Sequence, residues 1–255
     1  MNILNYKNKR LLKSDLIEQI SFIQYAFSTR DFGNLGLHVG DVQEKVIENR
    51  KLFADTIDID YDKLVSAKQV HGNNVTRVTL DDIGKGSKDY ETSIDNTDAL
   101  ITNIPDLPLF AFYADCVPIF IVDSVQKAIG IVHSGWKGTL DNIAGNTIDA
   151  FINEFHSKPK DLIAIIGPYI CKNCYEVSDD IIKRFKDSGY VEDSETFSNN
   201  LDLGNIIKNQ LLDKGLVNIE KTEYCTSCSL DMFFSHRKEN GKTGRMAGIV
   251  MIKGD

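Results

Sequence analysis

The 255-residue chain is poor in several things, and each shortage excludes a class of protein. It has only five prolines and no long low-complexity segment, so nothing in it reads as an extended linker. Its longest apolar runs, such as "LFAFYA" and "IAIIG", fall far short of the roughly 20 residues a membrane span needs. "MNILNYKNKR" carries charge without an apolar run behind it, which is not the pattern of a secretory leader. Basic residues are outnumbered 29 to 37, for a net charge of −8, which argues against nucleic acid or an anionic membrane as the partner. An anionic small molecule needs only a local basic pocket and is not excluded. The expected compartment is the cytoplasm, where five cysteines count as thiols, ligands or nucleophiles, because disulfides are rare there.

What is present suits a soluble globular chain, 42% hydrophobic and 26% charged. Strand signals are read at "YAFSTR", "LVSAKQV", "ALITN", "LPLFAFYA", "PIFIVD", "AIGIVH" and "DLIAIIG". Helices are expected over "QEKVIENRKLFADTI", "TLDNIAGNTIDAFINEF", "SDDIIKRFKDSG" and "LDLGNIIKNQLLDKG". The polar stretch Asp81–Asp98 reads as a mobile loop, and Met232–Ile252 as a closing hairpin turning at Asn240 and Gly241. Strands and helices interleave without strict alternation. The expectation is therefore α+β: a single domain, residues 1–255, with mixed sheets flanked by helices.

Cys116 precedes one apolar run and His133 closes the next. A turn centred on Val125–Gln126 pairs Asp123 with Ala128 and sets His133 opposite Pro118. Cys116 then lies diagonal to His133 on the same face, at roughly 7–8 Å between backbones. A slip of one residue would put the two on opposite faces. His71, in the Gly- and Asn-rich turn of "KQVHG", is the third candidate. If it joins the other two, the set is three protein ligands with an open position, the pattern of a catalytic zinc. Each residue alone has an ordinary explanation as a core thiol, a strand-end imidazole or a turn histidine. Trp136, the only tryptophan, is a core or wall residue in either case.

"KQVHG", "DALIT", "ADCVPIFIVD", "IGIVHSGWKGT", "IGPYI…CYEVSDD" and "CTSC…FFSHRKENGKTGRMAG" together resemble the bacterial YfiH family, also called the laccase-domain or polyphenol-oxidase-like family. The likeness runs from "FSTRDFGNLGLHVGD" to the final residues. It implies a YfiH-like fold with a zinc site at His71, Cys116 and His133, which would also be the catalytic residues. It further implies purine nucleoside chemistry: phosphorolysis of adenosine, inosine, guanosine and methylthioadenosine, and deamination of adenosine. Copper-dependent phenol oxidation and peptidoglycan precursor editing are also associated with the family, so copper is the alternative ion. A four-copper cluster consumes many histidines, whereas this chain has five, at 38, 71, 133, 156 and 236. The nucleobase deaminase signature, H-x-E with P-C-x-x-C, is absent.

Phosphorolysis needs a cation for phosphate, and Arg30 and Arg245 are candidate holders because guanidinium forks suit that anion. Gln69, Lys68 and Asp115 adjoin the ligands and are candidates for positioning or proton transfer. Asp115 is expected to point away from Cys116 if the strand is regular there. A second possible metal site lies in "CKNC" (Cys171, Cys174) and "CTSC" (Cys225, Cys228). Some 50 residues separate the pairs, against a usual 15–20, so they are read as buried thiols instead. "GKT" at 241–243 is not a phosphate loop, since His236 stands where its first glycine belongs. Three function classes follow: a metal-dependent nucleoside enzyme; a cysteine hydrolase, such as an amidase, with Cys116 as nucleophile and His133 as base; and a binding protein with a structural metal. The expected partners are a purine nucleoside and phosphate, with no nucleic acid and no membrane.

Overall fold

The computed structural model describes residues 1–191 and 199–254. Its elements follow in chain order. Strands β1 (Asn2–Tyr6) and β2 (Lys9–Lys13), the short helix α1 (Asp15–Glu18) and β3 (Ile23–Ser28) lead to α2 (Gln43–Asp55). Strands β4 (Val65–Ser66), β5 (Val75–Arg77), β6 (Ala99–Thr102), β7 (Leu109–Tyr113), β8 (Val117–Asp123) and β9 (Ala128–Ser134) come next. Helices α3 (Trp136–Leu140) and α4 (Ile143–Phe155), strand β10 (Leu162–Ile166), helices α5 (Asp179–Asp187) and α6 (Leu203–Asp213), and strands β11 (Asn218–Lys221) and β12 (Met246–Ile252) complete them.

The strands form two six-stranded mixed sheets, β1-β2-β3-β12-β7-β4 and β11-β10-β8-β9-β6-β5. Side chains alternate across a strand, so each central strand feeds two cores. On β8, Phe120 and Val122 face the other sheet, while Ile119 and Ile121 face helices. On β12, Val250 and Ile252 face the sheet interface, while Ala247, Ile249 and Met251 pack with Phe53 and Ala54 of α2. Helices α4 and α6 cover the second sheet through Ile143, Ile148, Phe151, Ile206, Ile207 and Leu211. The result is four layers: helix, sheet, sheet, helices. This is the α+β architecture with mixed sheets that the sequence pattern indicates. Among the described residues, no helix is long and apolar enough to cross a membrane.

Phe120 centres the sheet–sheet interface. Its ring stacks on Phe27 at 4.0 Å and 10°, and meets the edge of Tyr25 at 6.2 Å. Gly248 on β12 leaves the room for it, since a Cβ there would lie 2.9 Å from the Phe120 ring.

Four local expectations are corrected. The closing hairpin has only its second strand: Asn240 and Gly241 make a turn with positive φ (51° and 79°), but Phe233–Arg245 is irregular chain. "LVSAKQV" contributes only the two residues of β4. The helix expected over "TLDNIAGNTIDAFINEF" breaks at Asn142, whose left-handed backbone (φ 57°) restarts the chain as α4 while its side chain caps Gly145 N–H. The polar stretch Asp81–Asp98 is pinned, not mobile. Buried Arg50 donates to the carbonyls of Gly86 and Ser87, and Tyr61 also donates to Ser87.

Truncating Phe120 empties the stack between the sheets. Phe120→Ala is expected to lower stability by about 3–5 kcal/mol, measured by urea denaturation.

Candidate metal centre

The antiparallel register of β8 and β9 sets Pro118 opposite His133 and Asp123 opposite Ala128. Cys116 lies immediately before β8, at the same end as His133. His71 arrives from the turn after β4, at positive φ (61°). The sulfur of Cys116 and one nitrogen each of His71 and His133 all lie within 4.8 Å of one another. The two imidazole centroids are 4.8 Å apart with nearly perpendicular planes. Gly135 permits this approach, because a Cβ there would come 2.9 Å from His71 and 3.1 Å from the Cys116 sulfur.

One carboxylate organises the cluster. Asp98, fully buried at the start of β6, accepts His133 Nδ1–H at 2.8 Å and the backbone N–H groups of Val70, His71 and Gly72 at 3.2, 3.0 and 2.7 Å. It therefore fixes the His71 turn and, by accepting from Nδ1–H, leaves His133 Nε2 for the thiol side. Although Asp98 opens the "DALIT" stretch, nothing in its immediate sequence assigns it to this centre. The parallel pairing of β5 with β6 brings the His71 turn over its carboxylate.

The electrostatics follow from this packing. Burial alone would raise the Cys116 thiol, but the charge on His133 and hydrogen bonds from both imidazoles outweigh it and push the thiol down to about 6. Burial opposes charge on His133, yet the Cys116 thiolate and Asp98 raise it to about 9. Asp98 is held below its ordinary value despite burial, chiefly by His133 and the surrounding N–H groups. The metal-free cluster is thus a thiolate beside an imidazolium.

The donor set fits zinc. It comprises one soft thiolate and two imidazoles at mutually reachable distances, one imidazole backed by a carboxylate, with an open side toward a cavity. That cavity, of about 400 Å³, is walled by Phe112, Trp136 and Tyr175, with Arg237 and Arg245 on its rim. Another cavity of about 350 Å³, beside β1 and β3, holds no histidine or cysteine.

The remaining candidates separate clearly. Gln69 lines the cavity, but both ends of its amide are taken by the backbone of Phe112, at 2.9 Å each. Arg245 reaches the cavity, where its Nη1 donates to the Thr243 and Gly244 carbonyls. Arg30 does not line it. Its guanidinium donates to the Leu230 and Phe233 carbonyls, pairs with Glu239 and lies over Phe234. Lys68 pairs with Glu91 and Asp95 away from the cavity. Asp115 does not turn away as a regular strand would require, because its φ is 86° and β8 begins only at Val117. It lines the cavity, with its oxygens accepting from Thr226 Oγ1 and Arg237 N–H at 2.6 Å each. Residue-by-residue reading misses His38, Tyr175, His236 and Arg237, which loops remote in sequence bring to the same walls.

Two six-stranded mixed sheets with a His–Cys–His cluster beside their loops define a class of fold and site, and comparison places it. A family profile described as "Multi-copper polyphenol oxidoreductase laccase" matches residues 24–253, and the chain belongs to that family. It is 37% identical over 227 residues to the Bacillus subtilis protein named purine nucleoside phosphorylase YlmD, covering 86% of this chain and 82% of that one. It is 29% identical to a protein named adenosine deaminase RL5, from an unknown prokaryotic organism, covering 83% and 84%. Among solved structures, YlmD from Geobacillus stearothermophilus superposes with a TM-score of 0.90 at 30% identity, over 99% of each chain. The hypothetical protein YfiH from Bacillus licheniformis gives 0.88 at 35%, over 96% of each.

Two measurements test the cluster. Asp98→Asn is expected to weaken zinc binding by about 10–100-fold in competition with a chromophoric chelator. In chelator-stripped protein, alkylation of Cys116 should persist down to about pH 6 and fall away below it, because the thiolate is lost only as pH drops through the depressed value. A half-point near that of a free thiol would show the imidazole pairing to be absent.

Proposed function

We propose that the chain is a zinc-dependent purine nucleoside enzyme, catalysing phosphorolysis of adenosine, inosine, guanosine and methylthioadenosine and deamination of adenosine. The observation that carries this reading is the meeting of His71, Cys116 and His133 at the floor of a cavity with aromatic walls and two guanidinium groups on its rim. His71, Cys116 and His133 would hold a zinc ion, which would supply Lewis acidity at the cavity floor. The chain's own groups do the rest. Phe112, Trp136 and Tyr175 offer flat apolar surface for a purine. Arg245 and Arg237 present planar donors suited to phosphate, and Arg237 is steadied over the Tyr175 ring at 5.2 Å. His38 is pushed down to about 4, first by burial and then by nearby cations, so at neutral pH it is uncharged. The names of the relatives support the same chemistry.

A second reading has its own observation. Cys116, His133 and Asp98 form a nucleophile–base–orienter chain, which suits a cysteine hydrolase. Against it, His71 is aimed at the same sulfur, a group that a hydrolase has no use for and a three-ligand centre requires.

Incubating the purified, zinc-loaded protein with adenosine and separating the products by chromatography decides. Adenine with ribose 1-phosphate is expected when phosphate is present, and inosine from deamination. Arg245→Ala should raise KM for phosphate more than KM for nucleoside. Neither adenine nor inosine, together with amide-bond hydrolysis by metal-free protein that is lost on alkylating Cys116, would replace the nucleoside reading with the hydrolase one.

A further inference from the structure

The two Cys-x-x-Cys pairs, too far apart in sequence to suggest a shared site, meet in space. Strands β10 and β11 run parallel, with Ile163 beside Asn218 and Ile166 beside Lys221. The pairing continues beyond the strands through Thr222 N–H to the Ile166 carbonyl, the Tyr169–Cys225 bridge, and Thr226 N–H to the Tyr169 carbonyl. Both pairs therefore leave the same end of two adjacent, in-register segments, and the intervening residues are the crossover that carries α5 and α6. Spacing along the chain misled because it measures the crossover, while the register of the parallel strands sets the separation of the thiols. Nor are the four uniformly buried thiols: Cys225 is buried, Cys171 and Cys174 are half-buried, and Cys228 is exposed.

All four sulfurs lie within 4.8 Å of one another, with Cys174 and Cys228 3.4 Å apart. Four thiolates around a zinc at about 2.3 Å sit roughly 3.8 Å apart at the corners of a tetrahedron. The backbone N–H of Cys171 already points at the Cys225 sulfur, at 3.2 Å, as amides do toward thiolates. No such convergence is needed for packing, since only Cys225 is buried and Cys228 is exposed.

We propose that Cys171, Cys174, Cys225 and Cys228 form a second metal site, a structural tetrathiolate centre for zinc, separate from the His71–Cys116–His133 cluster. Binding releases the four thiol protons and leaves the metal without an open position, so the centre holds chain and does no chemistry. What it holds is the cavity wall. Cys174 immediately precedes Tyr175, and Thr226, inside the second pair, anchors Asp115, whose other oxygen receives Arg237 N–H. The staple thus joins the loop bearing Tyr175 to the loop bearing Arg237.

Metal analysis of the full chain, purified under reducing conditions and loaded with excess zinc before gel filtration, should give two zinc ions per chain. Cys174→Ser/Cys228→Ser should give one, and His71→Ala should independently give one. Should the double variant fail to fold, cobalt loading of the unaltered protein still decides. A tetrathiolate site adds a sulfur-to-cobalt charge-transfer band several times as intense as a single-thiolate centre supplies. One zinc per chain in the unaltered protein that His71→Ala removes, a count the double variant leaves unchanged, or a Cys174–Cys228 disulfide in the reduced and zinc-loaded chain would each overturn the proposal.

Discussion

The buried carboxylate of Asp98 is the constraint on which the site depends. Four donors converge on it, three from the backbone around His71 and one from the ring of His133. A carboxylate buried without partners would be costly. Here its charge is stabilised by the groups that must be held still for His71 and His133 to meet Cys116. Stability and site geometry are therefore one demand. The turn takes its left-handed backbone at His71 because Asp98 gathers three successive amides, and His133 keeps its ring orientation because Asp98 accepts from Nδ1.

The two-sheet frame explains why a cluster can form there. Cys116 and His133 sit at one end of the paired strands β8 and β9 near the middle of the second sheet, backed on one face by α4 and on the other by the first sheet. Strands buried on both faces do not shift register easily, because a slip would turn their apolar side chains into the wrong core. The aromatic and cationic groups come from loops instead, which is where diversity of substrate is most easily accommodated.

Much of this is legible in the sequence, and the reasons divide by range. Arithmetic on the hairpin places His133 opposite Pro118 because antiparallel partners joined by a short turn have a fixed sum of positions. The apolar runs of β6 to β10 are short and sharply bounded, so they read cleanly. Asp98 is not legible, since its role depends on which strand lies beside β6. Arg30 and Arg245 look equivalent as lone arginines in glycine-containing loops, but neighbouring carbonyls and Glu239 claim the first while the cavity receives the second. The Asn240–Gly241 turn has the expected positive φ values, yet a turn signal alone does not supply a strand on each side. The Cys-x-x-Cys pairs fail for the opposite reason: parallel register brings together what a long crossover separates.

The placement of β12 bears on how the molecule is made. It lies between β3 and β7 and bonds to both, although it follows them by well over a hundred residues. During vectorial synthesis those two partners emerge long before the strand that joins them, each with an unsatisfied edge facing the gap. The second sheet can assemble early from the local β8–β9 ribbon, but the first must wait for β12 to leave the ribosome. Nascent chains stalled before that moment present two sticky borders of the kind that recruit chaperones or pair with one another.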